Sequence, residues 1–185
     1  VLLYNLLTAS PSTPVAESIG TGGTPAAAES VANPDIYLPV YKFEEPAPSV
    51  DFTMEDADGN AATLFATQGK PVVLNFWASW CPPCKEEMPH FDALNAELGD
   101  QVTFMMVDLV DGGQETRADG EAYIAEQGFT FPVYYDTAQN GAIVYGISSI
   151  PTTFLIDAEG NVVAGAQGLL DETKLRYGIS LIMDE

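Results

Sequence analysis

Cys81 and Cys84 are the two cysteines of the sequence, and two residues separate them. Thiols at this spacing can form a disulfide and exchange it with another disulfide. A Cys-x-x-Cys pair can also be a structural disulfide or half of a zinc site, but zinc needs two further ligands. The single histidine, His90, lies six residues after Cys84 and is not on the same helical turn. The residues therefore favour dithiol redox chemistry, and we expect no metal.

A buried strand followed by a helix is predicted to hold the two cysteines. Residues 72–77 are β-branched, aromatic or otherwise uncharged, which is typical of a strand buried on both faces. After it, apolar residues recur at helical spacing and predict an amphipathic helix with an inner stripe of Cys84, Met88, Phe91, Leu94 and Leu98. A helix N-terminus favours negative charge, so a thiol there ionises easily. We therefore predict Cys81 as the exposed attacking thiol and Cys84 as the buried resolving thiol.

The motif Trp80-Cys81-Pro82-Pro83-Cys84, followed by Glu87-Met88-Pro89, resembles the active site of the thioredoxin superfamily. The string from Pro71 to Trp80 resembles one branch in particular, the extracytoplasmic, membrane-tethered thiol–disulfide oxidoreductases of TlpA/ResA type, with an AhpC/TSA–Redoxin-like domain. The resemblance extends from about Pro48 to the C-terminus. It implies a thioredoxin-like fold and a redox-active Cys81–Cys84 couple, with no other cofactor expected.

The resemblance also implies a substrate-binding surface around Cys81. Ile150-Pro151-Thr152 is similar to the cis-proline loop that faces the cysteines in this superfamily. The implied role is a cis bond before Pro151 and an Ile150 backbone that pairs with an extended substrate segment. The alternative is an ordinary trans-proline at the start of a strand. Trp80 and Pro82, which flank Cys81, are assigned to the same surface.

Glu87 is the third predicted catalytic residue. It follows Cys84 by three residues, so it lies nearer the inner face of the predicted helix. In ResA-like proteins a glutamate at this position is thought to tune the thiols, and a buried carboxyl has a raised pKa and can exchange protons. Thioredoxin itself carries a buried Asp six residues before the first cysteine, where this chain has Asn75, so the proton-carrying role shifts to Glu87 or water. The alternative is a solvated surface charge.

Hydrophobic periodicity and turn residues along the rest of the chain match this fold. We predict an α/β, thioredoxin-like domain with an N-terminal β-hairpin and one inserted helix in a central mixed sheet. Besides the central strand and helix, the predicted elements are a hairpin of 50–54 and 63–65, strands 102–108 and 131–135, helices 116–127 and 138–145, a hairpin of 152–157 and 162–164, and a helix over 171–183.

The chain of 185 residues is long enough for one such domain and a tail. Residues 1–47 are rich in Ser, Thr, Pro, Ala and Gly and are predicted to be a flexible low-complexity tether, with the domain over 48–185. Val1–Leu7 is apolar but too short to span a bilayer. We expect it to be either the end of a membrane anchor or signal segment, or a short helix packed on the domain.

The net charge of −21, with 6 basic residues, argues against a nucleic-acid partner. We predict a monomeric thiol–disulfide oxidoreductase, anchored to the membrane or a lipoprotein, facing the periplasm or the cell exterior. Its expected partners are protein disulfides, for example in cytochrome c maturation, and a membrane thiol–disulfide electron donor. A thiol peroxidase on this fold would carry Thr at the position of Ala78, and a copper carrier would use Cys-x-x-x-Cys with a distant His. The sequence has neither pattern.

Overall fold

A computed structural model describes residues 40–67 and 69–183 of the chain, and its strands form a single eight-stranded mixed sheet. The strands are β1 Val40–Pro48, β2 Thr53–Glu55, β3 Ala61–Thr63, β4 Val72–Trp77, β5 Thr103–Asp108, β6 Val133–Tyr135, β7 Thr152–Ile156 and β8 Asn161–Gln167. The helices are α1 Pro82–Leu98, α2 Arg117–Gln127, α3 Asn140–Val144 and α4 Glu172–Met183, with a 3-10 turn at Leu64–Thr67. The order across the sheet is β1-β8-β7-β4-β5-β6-β2-β3. This architecture confirms the predicted fold class.

Strand β4 is the centre of the sheet and leads directly to the cysteines. It pairs in parallel with β5 and antiparallel with β7, and all six of its residues are buried. Val73 and Trp77 pack into the core on one face, whereas Leu74 and Phe76 pack into the core on the other. Because successive side chains of a strand point to opposite faces, this continuous apolar run fills both cores.

Helix α1 begins at Pro82, with Cys81 as its N-cap residue. Four residues of its predicted inner stripe are buried, Cys84, Met88, Phe91 and Leu94, whereas the fifth, Leu98, is partly buried against the same core. These side chains share one core with Leu175 and Ile179 of α4. The packing of α1 on the sheet therefore fixes the position of the cysteines.

Strand β1 corrects the predicted domain boundary. It pairs antiparallel with β8, and its Val40 and Phe43 are buried, so residues 40–47 are part of the sheet rather than of the predicted tether. The register shifts between Lys42 and Ala47. This irregularity removes the period-two alternation by which a strand is recognised in sequence.

Residues 1–39 lie outside the described residues, and with them the predicted tether up to that point and the Val1–Leu7 segment. Within residues 40–67 and 69–183, none of the helices combines the length and hydropathy needed to cross a bilayer.

Candidate active site

Cys81 and Cys84 form a disulfide at the N-terminus of α1, with their Cα atoms 5.3 Å apart. The backbone N–H of Cys84 points at Cys81 Sγ, and the N···S distance is 3.4 Å. In the reduced protein this N–H and the helix dipole stabilise a thiolate on Cys81. The local geometry therefore supports Cys81 as the more acidic thiol of the pair.

Both cysteines are buried in the disulfide form. Cys81 is 2% exposed and Cys84 is fully buried, so the prediction of an exposed Cys81 is wrong for this state. The cause is the loop before β7, whose Ile150 carbonyl oxygen lies 3.7 Å from Cys81 Sγ. Cys81 nevertheless lines a surface cleft and Cys84 does not. Access to the disulfide is therefore from the Cys81 side.

The cleft beside Cys81 has a volume of about 420 Å³. Three of the predicted substrate-binding residues, Trp80, Pro82 and Ile150, line it together. Trp80 is 43% exposed, as expected of an apolar rim. The remaining lining residues are Ala78, Cys81, Pro83, Leu109, Asp111, Gln139, Ile147, Ser148 and Ser149.

The Ile150–Pro151 peptide bond is cis, as predicted. Pro151 itself is buried and does not line the cleft, whereas Ile150 does. The Pro151 carbonyl oxygen accepts a hydrogen bond from the Gly168 N–H at 2.8 Å, which ties the loop to the end of β8. Pro151 therefore contributes to the conformation of the loop, and Ile150 is the residue of the pair that contacts the cleft.

Glu87 is fully buried in the core beneath the disulfide-bearing turn of α1. Its Oε1 accepts a hydrogen bond from Asn75 Nδ2 at 2.8 Å, and its Oε2 accepts one from the Leu170 N–H at 3.0 Å. Burial raises the pKa of Glu87 to about 8, although these two hydrogen bonds oppose the shift. The structure therefore excludes the alternative of a solvated surface charge, and the burial of Glu87 favours its protonated form.

Asn75 connects Glu87 to β7, the strand that follows the cis-proline. Besides Glu87, its Nδ2 donates to Thr153 Oγ1 at 3.0 Å. All three side chains are fully buried. The network thus joins β4, α1 and β7 directly behind the cysteines, and Glu87 is its titratable member.

Sequence reasoning missed a second group of buried acids near the cysteines. Asp108 ends β5, Glu115 lies in the loop before α2, and both are fully buried. Glu115 Oε2 accepts a hydrogen bond from Ser79 Oγ at 2.8 Å, and Ser79 precedes Cys81 by two residues. The sequence could have indicated this group through Asp108. This residue ends β5, and the carboxyl ends of the neighbouring parallel strands β4 and β5 lie at the same edge of the sheet, where the cysteines follow β4.

Comparison with known proteins gives consistent matches over the described domain. Residues 44–164 match the model of the AhpC/TSA family. The thiol–disulfide oxidoreductase ResA of Halalkalibacterium halodurans is 34% identical over 137 residues, covering 74% of this chain and 76% of that protein. Among solved structures, StoA from Bacillus subtilis is 31% identical with a TM-score of 0.62, covering 72% of this chain and 98% of that one.

A second solved structure is also similar. The pneumococcal exposed lipoprotein thioredoxin from Streptococcus pneumoniae is 29% identical with a TM-score of 0.63, and the match covers 71% of this chain and 98% of that one. Each solved chain is thus matched over nearly its whole length.

Proposed function

The chain belongs to the AhpC/TSA family and is a thiol–disulfide oxidoreductase of ResA type, and we propose that it reduces disulfide bonds of protein substrates outside the cytoplasmic membrane. The observation that carries the proposal is the asymmetry of the cysteine pair. Cys81 is the N-cap residue of α1 and lines the cleft, whereas Cys84, in the first turn of the helix, does not line it. This is the arrangement that disulfide exchange requires of an attacking and a resolving thiol.

The reaction proceeds in two exchanges. The Cys81 thiolate attacks one sulfur of the substrate disulfide, that S–S bond breaks, and a mixed disulfide forms while the other substrate sulfur leaves as a thiolate. Cys84 then attacks Cys81 Sγ, the mixed disulfide breaks, and the substrate leaves as a dithiol. Two electrons pass from the cysteine pair to the substrate, and the Cys81–Cys84 disulfide remains.

Glu87 is the proposed proton carrier of the second exchange. Cys84 must lose its proton before it attacks, and Glu87 lies one turn further along the same helix, fully buried. The pKa of Glu87, about 8, is close to neutral pH, so its carboxyl group can both accept and return a proton. Asn75 has no acidic proton and serves to orient Glu87 through its 2.8 Å hydrogen bond.

The cleft supports an extended protein segment as substrate. Trp80 provides exposed aromatic surface, and the Ile150 backbone lies beside Cys81 where a strand-like segment can pair with it. Ala78 at the base of the site has no hydroxyl, which disfavours a peroxidase. We further propose a monomer with no cofactor beyond its disulfide, with apocytochromes c as an example of a substrate.

Similarity to an extracytoplasmic relative supports the proposed location, and the redox state of that compartment supports the proposed electron source. One of the similar structures is named an exposed lipoprotein. An oxidising compartment supplies no soluble reductant, so a reductase there needs a membrane thiol–disulfide donor. A membrane-anchored or lipoprotein form of this chain would keep the enzyme close to that donor.

The test is the reduction potential of the Cys81–Cys84 couple, together with turnover of a disulfide-bonded protein substrate. A potential near that of thioredoxin, roughly −270 mV, is expected of a reductase. Cys81→Ser should abolish turnover. A potential near roughly −120 mV would show an oxidant instead, and undiminished turnover of Cys81→Ser would overturn the assignment of the attacking thiol.

A further inference from the structure

The carboxyl groups of Asp108 and Glu115 lie close together inside the protein. Asp108 Oδ1, Asp108 Oδ2 and Glu115 Oε1 are buried and have no hydrogen-bond partner among the described residues. Arg117, the one basic residue of α2, is engaged by Glu55 and Glu121 instead. Two buried carboxylates without a partner would be strongly unfavourable, so the pair needs a positive charge.

The two side chains lie against the same point of the α2 backbone. A Cβ placed on Gly120 would overlap Asp108 Oδ2 and would lie 3.5 Å from Glu115 Oε1. Gly120 thus leaves the room in which the two carboxyls approach each other. Within residues 40–67 and 69–183 there is no cluster of His, Cys, Asp and Glu suited to hold a metal ion. Two carboxyls in this arrangement can share a proton between them.

We propose that Asp108 and Glu115 share one proton and act together as a positioning pair for the Cys81 turn. Asp108 carries the proton and donates a hydrogen bond to Glu115 Oε1, and Glu115 accepts another from Ser79 Oγ through Oε2. One proton thereby satisfies two of the three unpartnered oxygens. The pair carries a charge of −1 rather than −2.

The pair can reach the reacting atoms through two connections. Ser79 belongs to the turn in which the Cys81 N–H donates to the Ala78 carbonyl oxygen at 3.2 Å. On the other side, the loop between Asp108 and Glu115 provides Leu109 and Asp111 to the cleft wall. When both carboxyls are ionised they repel each other, and this repulsion acts on Ser79 and on the loop between Asp108 and Glu115. The position of the Cys81 turn therefore depends on the shared proton.

The electrostatic surroundings agree with this assignment. Burial first, and then the charge and hydrogen bond of Glu115, raise the pKa of Asp108 to about 9. The charge of Asp119, from α2, acts in the same direction. On the β6 side Tyr135 faces Asp108 with its pKa raised to about 12, and the Arg117 guanidinium lies 4.4 Å from the centre of its ring.

Asp136 is the further acid on that side. Its N–H donates to the Asp108 carbonyl oxygen at 2.9 Å, and its own carboxylate accepts from the Ala142 N–H at 2.9 Å. That bond involves Asp136 Oδ2, whereas Oδ1 is buried without a hydrogen-bond partner among the described residues, and burial raises the pKa of Asp136. No group on these elements offers the pair a positive charge in place of the proton.

The first test looks for the proton itself. Burial also favours the protonated form of Glu87, so infrared spectra are recorded in a Glu87→Gln background to remove its band. We expect Asp108→Asn to remove one protonated-carboxyl band at neutral pH, and the same band to fade in the parent as the pH passes about 9. Glu126→Gln, an exposed acid of α2, is the matched control and should leave the band in place. An unchanged spectrum for Asp108→Asn would overturn the shared proton.

The second test asks whether the proton positions the active site, and it rests on the proposed function. The alkylation rate of Cys81 is followed against pH in the reduced protein. The wild type should show an additional step near pH 9, which Asp108→Asn should lack. Ser79→Ala, which leaves the core intact, should also remove the step but keep the infrared band. Superimposed profiles of all three proteins would overturn the positioning role, whereas loss of disulfide turnover alone would concern the proposed function.

Discussion

Asn75 Nδ2 donates a 2.8 Å hydrogen bond to Glu87 Oε1 in the core of the protein, which joins the strand before the cysteines to the helix that carries them. Glu87 is fully buried, and its pKa is raised to about 8 by that burial. Glu87 therefore binds its proton more tightly in the folded protein than in the unfolded chain, so its ionisation affects stability.

Glu87→Gln should change how stability depends on pH. Folded Glu87 keeps its proton up to about pH 8, whereas the unfolded chain releases it near 4.5. Folding binds a proton between these values, so the wild-type free energy of unfolding falls as the pH rises through this window, by at most about 1.4 kcal/mol per pH unit. The variant lacks this slope. A Gln side chain has only one acceptor oxygen for the donors of Asn75 and Leu170, which costs about 1–3 kcal/mol.

The measurement is urea unfolding at a series of pH values. Glu87→Gln should be less stable than the wild type at mildly acidic pH, and the difference should shrink towards pH 8. Glu86→Gln, which changes the exposed neighbour, controls for net charge. A difference that stays constant across the series would show that Glu87 is already ionised in the folded protein.

Cys84→Ser should trap a covalent complex with the substrate. Cys81 remains available at the cleft and still attacks, but the resolving step has lost its thiol. Non-reducing gel electrophoresis and mass spectrometry should show a one-to-one mixed disulfide through Cys81, which the double variant Cys81→Ser, Cys84→Ser does not form. Normal turnover by Cys84→Ser would mean that the roles of the two cysteines are reversed or that an external thiol resolves the complex.

Trp80→Ala should weaken binding of protein substrates. Trp80 is 43% exposed at the rim of the cleft, and loss of an exposed aromatic anchor costs about 1–2 kcal/mol, or roughly tenfold in kcat/KM. The rate with a small disulfide reagent should change little, because such a reagent makes few contacts with the rim. Ile143→Ala removes a side chain that is 72% exposed but does not line the cleft, and it should leave both rates unchanged. Equal losses with both variants would refute docking at Trp80.

Deletion of residues 1–48 should destabilise the domain, because it removes β1 from the edge of β8. Phe43 is 7% exposed, and truncation of one buried Phe alone costs about 3–5 kcal/mol. Deletion of residues 1–39 leaves β1 in place and is the matched comparison. The melting temperature should fall clearly for the longer deletion and little for the shorter one. Equal melting temperatures for the two proteins would mean that β1 contributes nothing to stability.

The sequence predicted those features that depend on local pattern. The apolar run of β4, the helical stripe after Cys84 and the inward position of Glu87 are all properties of a few consecutive turns or residues, and the structure has them as expected. The cis bond at Pro151 followed from the resemblance of its three-residue motif.

The features that sequence reasoning missed depend on residues far apart in the chain. Cys81 is buried because Ile150 approaches it from the loop before β7. Glu115 is a site residue because the fold brings it to Ser79, and its link to Asp108 depends on the room left by Gly120. Neither contact leaves a periodic signal, because each involves single residues on separate elements.

The pairing of β1 with β8 also has a consequence for how the protein folds. Val40 and Ala166 are partners although nearly the whole described chain separates them, so this ladder has a high contact order. The entropic cost of closing such a long loop is smaller after the intervening strands have formed. During synthesis β8 leaves the ribosome long after β1, and until then the first strand has no edge to join. We therefore expect β1 to dock late, completing a sheet whose centre is already assembled around β4.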